Sequence, residues 1–535
     1  MKKILLICFM LLQYVAMAQQ DAWVYFNAKE NVAASIANPI SILTQQAIDR
    51  KNAHGVVIDE RDVPVNETYI SALKAPGTGV TVLAKSKWFN AVYVRGSEMD
   101  INNLVTNFTF VESVQFADDS LNPSGRFEQV NDKFEIESTE VIFNYGSALN
   151  QIEMINVDAL HAQDYTGEGI IIAVLDSGFN NVDTMGAFQR LRDNGDLLDG
   201  YDFVDRVEDV YTFTGNDHGT RVLSNMAGFI QDQYVGTAPD ASYYLFRTED
   251  VFTETPVEEA YWVEAAERSD SLGVHIINSS LGYKTYQNPN YSYTDNDLNG
   301  QTAFITRGAN IANEKGIIVV TSAGNSGASG VGAPADAAGV MSIGAVDADG
   351  NYVSFSSQGS AIQPTQKPDV VARGGLSFVI NSNNVIVNNN GTSFSSPTMA
   401  GGIASLWQAL PDFDHEEIKS FVRMSSSQYT TPDFFLGYGI PNLQVALDIG
   451  LSLQEEEFSE FNVFPNPVTD ILTIQVPNFN TLTNLKIYDV LGKLVLDQNL
   501  NDASNTLDVG FMAPGMYIMR FESGNASKTY KLIKS

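Results

Sequence analysis

Ile170-Ile-Ile-Ala-Val-Leu-Asp176-Ser-Gly178 decides the fold. Six apolar residues in a row, without polar alternation, read as a strand buried on both faces. The run ends in an aspartate and a small-residue turn. In open α/β sheets the carboxyl end of a strand is where ligands and catalytic groups sit, although Asp there is also a common cap or turn residue.

The same texture repeats on either side. Short apolar runs occur at Val274–Ile277, Ile317–Val320 and Val340–Val346, with helix-like stretches at Thr220–Ile230, Pro256–Asp270 and Thr302–Lys315 between them. Buried strands separated by helices give an α/β class: a parallel sheet covered by helices on both faces, over residues 150–450. Further out the texture changes. Residues 19–145 are mixed α+β, with strand-like Gly79–Leu83 and Ala91–Val94, and end in a polar linker over Ser120–Glu140. Residues 451–460 read as a charged connector, and 461–535 switch to period-two strands and turns, which suggests a small β-sandwich.

A length of 535 residues calls for two to four domains. The net charge of −33 is concentrated in residues 19–460, which hold 23 basic and 58 acidic residues, whereas 461–535 hold six of each. A body this acidic repels nucleic acid and anionic membranes, so neither is an expected partner. Residues 1–18 read as a secretory signal: Lys2-Lys3, an apolar run from Ile4 to about Leu12, then Ala16-Met17-Ala18 before the expected cleavage. That run is too short for a membrane span, and none is expected in the mature form. The one cysteine, Cys8, lies inside the signal, so the mature chain would lack disulfides and thiol chemistry altogether.

Hydrolysing a peptide bond without thiol or metal needs a hydroxyl nucleophile, a base, an orienting carboxylate and an oxyanion site. Asp176 is the candidate carboxylate. His218, in Asn216-Asp-His-Gly-Thr-Arg-Val222, stands at a helix start and is the candidate base. Of the other four histidines, His161 and His415 read as surface positions and His275 as a sheet-edge or solvent-facing residue. Ser393, in Asn390-Gly-Thr-Ser393-Phe-Ser-Ser-Pro397, precedes a helix expected over Thr398–Leu410 with Pro397 in its first turn. A helix N-terminus favours developing negative charge, though an N-cap serine looks the same. Asn325, in Thr321-Ser-Ala-Gly-Asn325, follows another buried strand and is the candidate oxyanion donor, or simply a turn residue.

Together these motifs resemble the subtilisin-like serine proteases, the subtilases, over about 150–450. Leu175-Asp176-Ser-Gly178, His218-Gly-Thr220, Ala323-Gly-Asn325 and Gly391-Thr-Ser393 match the four family motifs in the family's chain order. Ser354–Ser357 and Lys367-Pro-Asp369 are further landmarks, and Thr248-Glu-Asp250 and Ser280-Leu-Gly-Tyr283 bring the set near the subtilases of Bacteroidetes-type bacteria. The resemblance implies a secreted endopeptidase with Asp176, His218 and Ser393 as triad and Asn325 on the oxyanion. It also implies a substrate-pairing strand at Asn278–Gly282, and a primary pocket between Ser280, Leu281, Gly282 and Ser322, Ala323, Gly324, roomy and apolar. Arg221 and Phe394 depart from the family pattern, where histidine and methionine are common; Arg221 is expected to face away from the chemistry.

The flanks carry resemblances of their own. Residues 19–145 resemble a subtilase prosegment, which would assist folding and inhibit the enzyme. Val463-Phe-Pro-Asn-Pro467, Ile487–Lys493 and Pro514-Gly-Met-Tyr517 resemble the sorting domain of the type IX (Por) secretion system, which implies export through the periplasm and outer membrane, to the cell surface or medium; a carbohydrate-binding sandwich is the rival. Expected partners are therefore protein or peptide substrates, the prosegment and the export machinery. No cofactor is required for the chemistry. The resemblance leaves room for structural Ca²⁺; Asp295-x-Asp297-x-Asn299-Gly300 begins like an oxygen-ligand loop, but position twelve is Thr306 rather than glutamate, and helix capping is the competing reading. Two other functions remain at this point: an adhesion protein on a degenerate subtilase scaffold, and an intracellular maturation protease.

Overall fold

The computed structural model describes residues 19–122, 145–459, 462–475, 483–489, 493–500, 502–523 and 526–535. The expected signal (1–18) and the expected linker beyond Asn122 lie outside the described residues. Among those described, no helix is long and apolar enough to cross a membrane.

The N-terminal segment is α+β. Strands β1 (Gln19–Phe26), β2 (Val80–Ser86), β3 (Ala91–Ser97) and β4 (Val111–Phe116) form an antiparallel sheet in the order β2-β3-β1-β4. One face packs on its own helices through Val24, Ile70, Val92, Ile101 and Leu104.

The central segment is built on a seven-stranded sheet: β5 (Ile171–Asp176), β6 (Leu197–Asp202), β7 (Ser242–Arg247), β8 (Ile276–Ser279), β9 (Ile318–Ser322), β10 (Met341–Val346) and β11 (Val370–Arg373). All pairs are parallel, in the order β11-β10-β9-β8-β5-β7-β6. Every residue of β5, β8 and β9 is buried, as their unbroken apolar runs require. Ile171, Ala173 and Leu175 share one core with Ala260, Trp262 and Val263 of helix α2 (Val257–Leu272) and with Phe304 and Ala309 of α3 (Phe304–Glu314). The alternate residues Ile172 and Val174 face the other side of the sheet. Helix α1 (His218–Ala227) packs on α4 (Thr392–Ala409), and α4 crosses β8 to β11.

The free face of the N-terminal sheet sits on α2 and α3. Trp23 stacks on Phe304, and Glu267 of α2 accepts hydrogen bonds from the backbone N–H groups of Lys87 (2.8 Å) and Trp88 (3.0 Å). Arg50 and Lys51 both reach Asp270 at 2.7 Å, Lys51 also meets Asp62 at 3.2 Å, and Lys315 joins Asp62 at 2.7 Å.

The C-terminal unit has two antiparallel sheets, one of three strands and one of four. They enclose Val468, Leu472, Ile474, Leu485, Ile487, Met519, Phe521 and Leu532, the sandwich that the period-two pattern predicts.

Several expectations need correcting. The stretch read as a connector is helical through Ser459, within a helix over Leu443–Ser459. Leucine, glutamine and glutamate are good helix formers, and buried Leu443, Ala446 and Leu447 anchor its first turns. Helix α4 begins at Thr392, six residues before the expected Thr398, so Pro397 lies inside it. His275 is neither at an edge nor in solvent. It immediately precedes β8, between β5 and β9, and its Nδ1 accepts from the Ile171 N–H at 3.1 Å. Burial, with Arg50 nearby, pushes its pKa down to about 3. His161 is half-buried with Nε2 at 3.1 Å from the Thr237 carbonyl, and the His415 side chain is also largely covered.

Candidate active site

The candidate groups converge at the carboxyl ends of β5, β8 and β9, where open α/β sheets place their sites. Asp176 is fully buried as the last residue of β5. Its Oδ1 accepts from the Ser177 N–H at 2.7 Å, and lies 2.7 Å from His218 Nδ1. With the carboxylate as acceptor, Nδ1 carries the proton and Nε2 is left as the basic nitrogen. Burial pulls the imidazole pKa down, but the Asp176 charge and hydrogen bond outweigh it, and the pKa is raised above 6.5.

Asn216 fixes the backbone that carries the ring. Its Oδ1 accepts from the His218 N–H at 2.8 Å and from Ser177 Oγ at 3.2 Å, linking the histidine loop to the aspartate turn. The sequence pattern gave a signal for this role, an Asx residue two positions before a helix start, which the sequence reading passed over. Gly178 has to be glycine: a Cβ there would come within 2.2 Å of the Asn216 carbonyl oxygen.

Ser393 is the second residue of α4 and is 8% exposed. The proline inside this helix has a local consequence. Pro397 lacks the N–H that would bond the Ser393 carbonyl four residues earlier, and Ser280 Oγ donates to that carbonyl instead, at 2.9 Å. Ser393 Oγ in turn lies 3.4 Å from the Ser280 carbonyl. The nucleophile candidate is thus tied directly to the end of β8. Phe394, next along the chain, places its ring 5.8 Å from the imidazole of His218.

Asn325 is held in one orientation. Its Oδ1 accepts from the Thr392 N–H at 2.9 Å and from Thr392 Oγ1 at 3.0 Å, which leaves Nδ2 as the donor pole. That nitrogen faces Gly391, where a Cβ would lie 3.5 Å from it. The predicted pocket walls also meet. The Gly324 N–H donates to Thr392 Oγ1 at 3.1 Å, and Ser322 Oγ reaches the Leu281 carbonyl at 3.5 Å. Space is open at Gly282, where a Cβ would touch nothing within 4 Å. Thr392, which joins Asn325 to the pocket wall, was not singled out by sequence.

Arg221 is turned to the residue that precedes its own helix and to the end of a short strand over Ile386–Asn389: Nε bonds Asp217 at 3.0 Å and Nη1 bonds Asn389 at 2.9 Å. The candidate calcium loop makes the hydrogen bonds of local turns and caps. Asp297 Oδ2 accepts from Thr294 N and Oγ1, Asn299 Oδ1 accepts from the N–H groups of Gln301 and Thr302, and Asp295 pairs with Lys284. These oxygens are spent on local turns, and among the described residues no group of three or more carboxylates, histidines or cysteines could hold a metal.

The model of the Subtilase family of peptidases matches residues 167–439, about half of the chain and the whole of this site. The chain belongs to the subtilase family. Subtilisin E of Bacillus subtilis (strain 168) is 30% identical over 318 residues, covering 58% of this chain and 74% of its own. Subtilisin DY of Bacillus licheniformis is 29% identical over 301 residues, covering 55% and 97%. Among solved structures, MycP1 with its N-terminal propeptide removed is 20% identical with a TM-score of 0.46, covering 56% of this chain and 96% of that one. Residues 21–134 match the Peptidase S8 propeptide domain of Bacteroidota, and residues 462–535 match a secretion system C-terminal sorting domain. This subtilase is therefore a serine-type endopeptidase with a propeptide domain, and its sorting domain marks it for type IX export to the cell surface or beyond.

Proposed function

We propose that this subtilase cleaves proteins through an acyl-enzyme formed on Ser393. His218 Nε2 takes the hydroxyl proton as Ser393 Oγ attacks the scissile carbonyl carbon. Negative charge gathers on the carbonyl oxygen, where Asn325 Nδ2 and the N-terminal turn of α4 stabilise it. As the intermediate collapses, the C–N bond breaks and His218 returns the proton to the leaving amine. Water, deprotonated by the same nitrogen, then hydrolyses the ester. Asp176 keeps the proton on Nδ1 and stabilises the imidazolium without being protonated itself.

The observation that carries this reading is the 2.7 Å contact between His218 Nδ1 and the fully buried Asp176 carboxylate. A buried carboxylate against a helix-start histidine is the arrangement that general-base activation of a serine requires. The chemistry needs no cofactor, and the steps involve no metal. Cleavage after large uncharged side chains follows from the small residues at Ser280, Gly282, Ser322 and Gly324. The propeptide domain acts as inhibitor and folding aid until it is removed.

The test is covalent capture. A fluorophosphonate should add one equivalent to the processed enzyme, with the adduct on Ser393 by peptide mass mapping, and none to His218→Ala. Labelling at another serine would overturn the assignment.

A further inference from the structure

His218 and Ser393 reach the site on different elements, as the first residue of α1 and the second of α4. Their spacing depends on what joins the chain segments around them. A short antiparallel hairpin, β12 (Ser377–Ile380) and β13 (Ile386–Asn389), leads directly into the segment that carries Ser393.

That hairpin is fastened to the other two triad loops. On the aspartate side, Asn181 Nδ2 donates to the Ser382 carbonyl at 3.0 Å, and Asn384 Oδ1 accepts from the Ala187 N–H at 2.8 Å. On the histidine side, Ser224 Oγ of α1 accepts from the Ile380 N–H at 2.8 Å. Asp217, the residue before His218, accepts through Oδ2 from the Ser382 N–H at 3.1 Å and from Ser382 Oγ at 2.9 Å.

Arg221 closes this circuit with one planar group. Its Nε bonds Asp217 Oδ1 at 3.0 Å, and its Nη1 bonds Asn389 Oδ1 at 2.9 Å, at the end of β13. The Arg221 and Asp217 side chains are both mostly covered, which limits screening of their contact. Donors set in one plane fix an angle as well as a distance, which the single ammonium of a lysine does not.

The charges are matched too. Burial would raise the Asp217 carboxyl, but Arg221 and the Ser382 donors outweigh it and hold it below the usual carboxylate range. The charged groups that act on the His218 ring are Asp176, Asp217 and Arg221. Burial lowers its pKa, the two carboxylates raise it and the guanidinium lowers it, so Arg221 offsets Asp217.

We propose that Arg221 is a positioning residue: by tying Asp217 to Asn389 it holds His218 and Ser393 at the spacing that proton transfer needs. Arg221 has this role only if those two residues are base and nucleophile. A misplacement of about 1 Å between reacting groups can cost about 10²-fold, so even a partial loosening of the tie has a readable effect.

The test uses enzyme processed from the full-length chain, one fluorogenic peptide, and fluorophosphonate titration run to completion to count active sites. Arg221→Lys keeps the charge but not the two-point contact, and Asn389→Ala removes only the link to β13. Per titrated site, each should lose about tenfold in kcat with KM within about twofold. In both, the acid limb of kcat/KM should stay at the wild-type pH. Arg221→Gln should lose as much and also move that limb to higher pH, because Asp217 is left uncompensated beside the imidazole. Unchanged kcat in both Arg221→Lys and Asn389→Ala would overturn the proposal. So would a loss that lies in KM, or one that vanishes once rates are expressed per active site. Wild type with neither turnover nor labelling would instead overturn the catalytic reading.

Discussion

The indole of Trp23 lies flat on the ring of Phe304, with centroids 3.9 Å apart and planes 22° from parallel. One ring belongs to the propeptide domain's first strand and the other to the start of α3. The contact anchors the free face of that sheet on the peptidase domain, next to a buried charge network.

That network is mutual: Arg50 and Lys51 from one side meet Asp270, while Lys315 from the other meets Asp59 and Asp62. Asp270→Ala leaves two buried cations without their shared carboxylate, a loss of about 3–5 kcal/mol in such sites. In a Ser393→Ala background, which prevents self-cleavage, limited trypsin should cut the propeptide domain of Asp270→Ala at least tenfold faster. Equal rates would show that the network does not hold the domain down.

Asp176→Asn should keep the fold and lower kcat by about four orders of magnitude, because an amide can stabilise the wrong tautomer of His218. Steady-state kinetics on one fluorogenic peptide, beside unchanged circular dichroism, measures this.

Asn325→Ala removes the donor whose direction Thr392 sets. The expected loss is about 10²–10³ in kcat with KM little changed, since the missing hydrogen bond forms only as charge develops. A loss confined to KM would reassign Asn325 to ground-state binding.

The pH profile follows from the direction of the His218 shift. The base form is active, and the pKa is raised above 6.5 because the Asp176 charge overcomes burial. The acid limb of kcat/KM for the free enzyme should therefore lie above pH 6.5, with rate rising as the proton leaves. Asp176→Asn should move that limb to lower pH, read on its residual activity.

Much of this site was legible because its parts sit where local signals are strong. Asp176, Ser322 and Asn325 end or follow strands whose runs are unbroken, and His218 and Ser393 stand in the first turn of their helices. His275 was misread because a polar residue in a short run suggests an edge. The ring is instead accommodated by one hydrogen bond to Ile171 and by Trp407, 5.7 Å away, which no local pattern announces. The early start of α4 was hidden by Pro397, since the Ser280 hydroxyl that satisfies the freed carbonyl lies 113 residues away. The contacts of Arg50 and Lys51 with Asp270 span about 220 positions and could only come from the folded chain.

The role of Ser393 as nucleophile is measured by comparing wild type with Ser393→Ala, both freed of the propeptide domain, on a fluorogenic peptide. A propeptide domain that stays bound would mask activity in either, so its removal is checked by intact mass. Wild type should turn the peptide over, and the variant should lose about 10⁶ in kcat, down to background. Equal rates in the two proteins would contradict it.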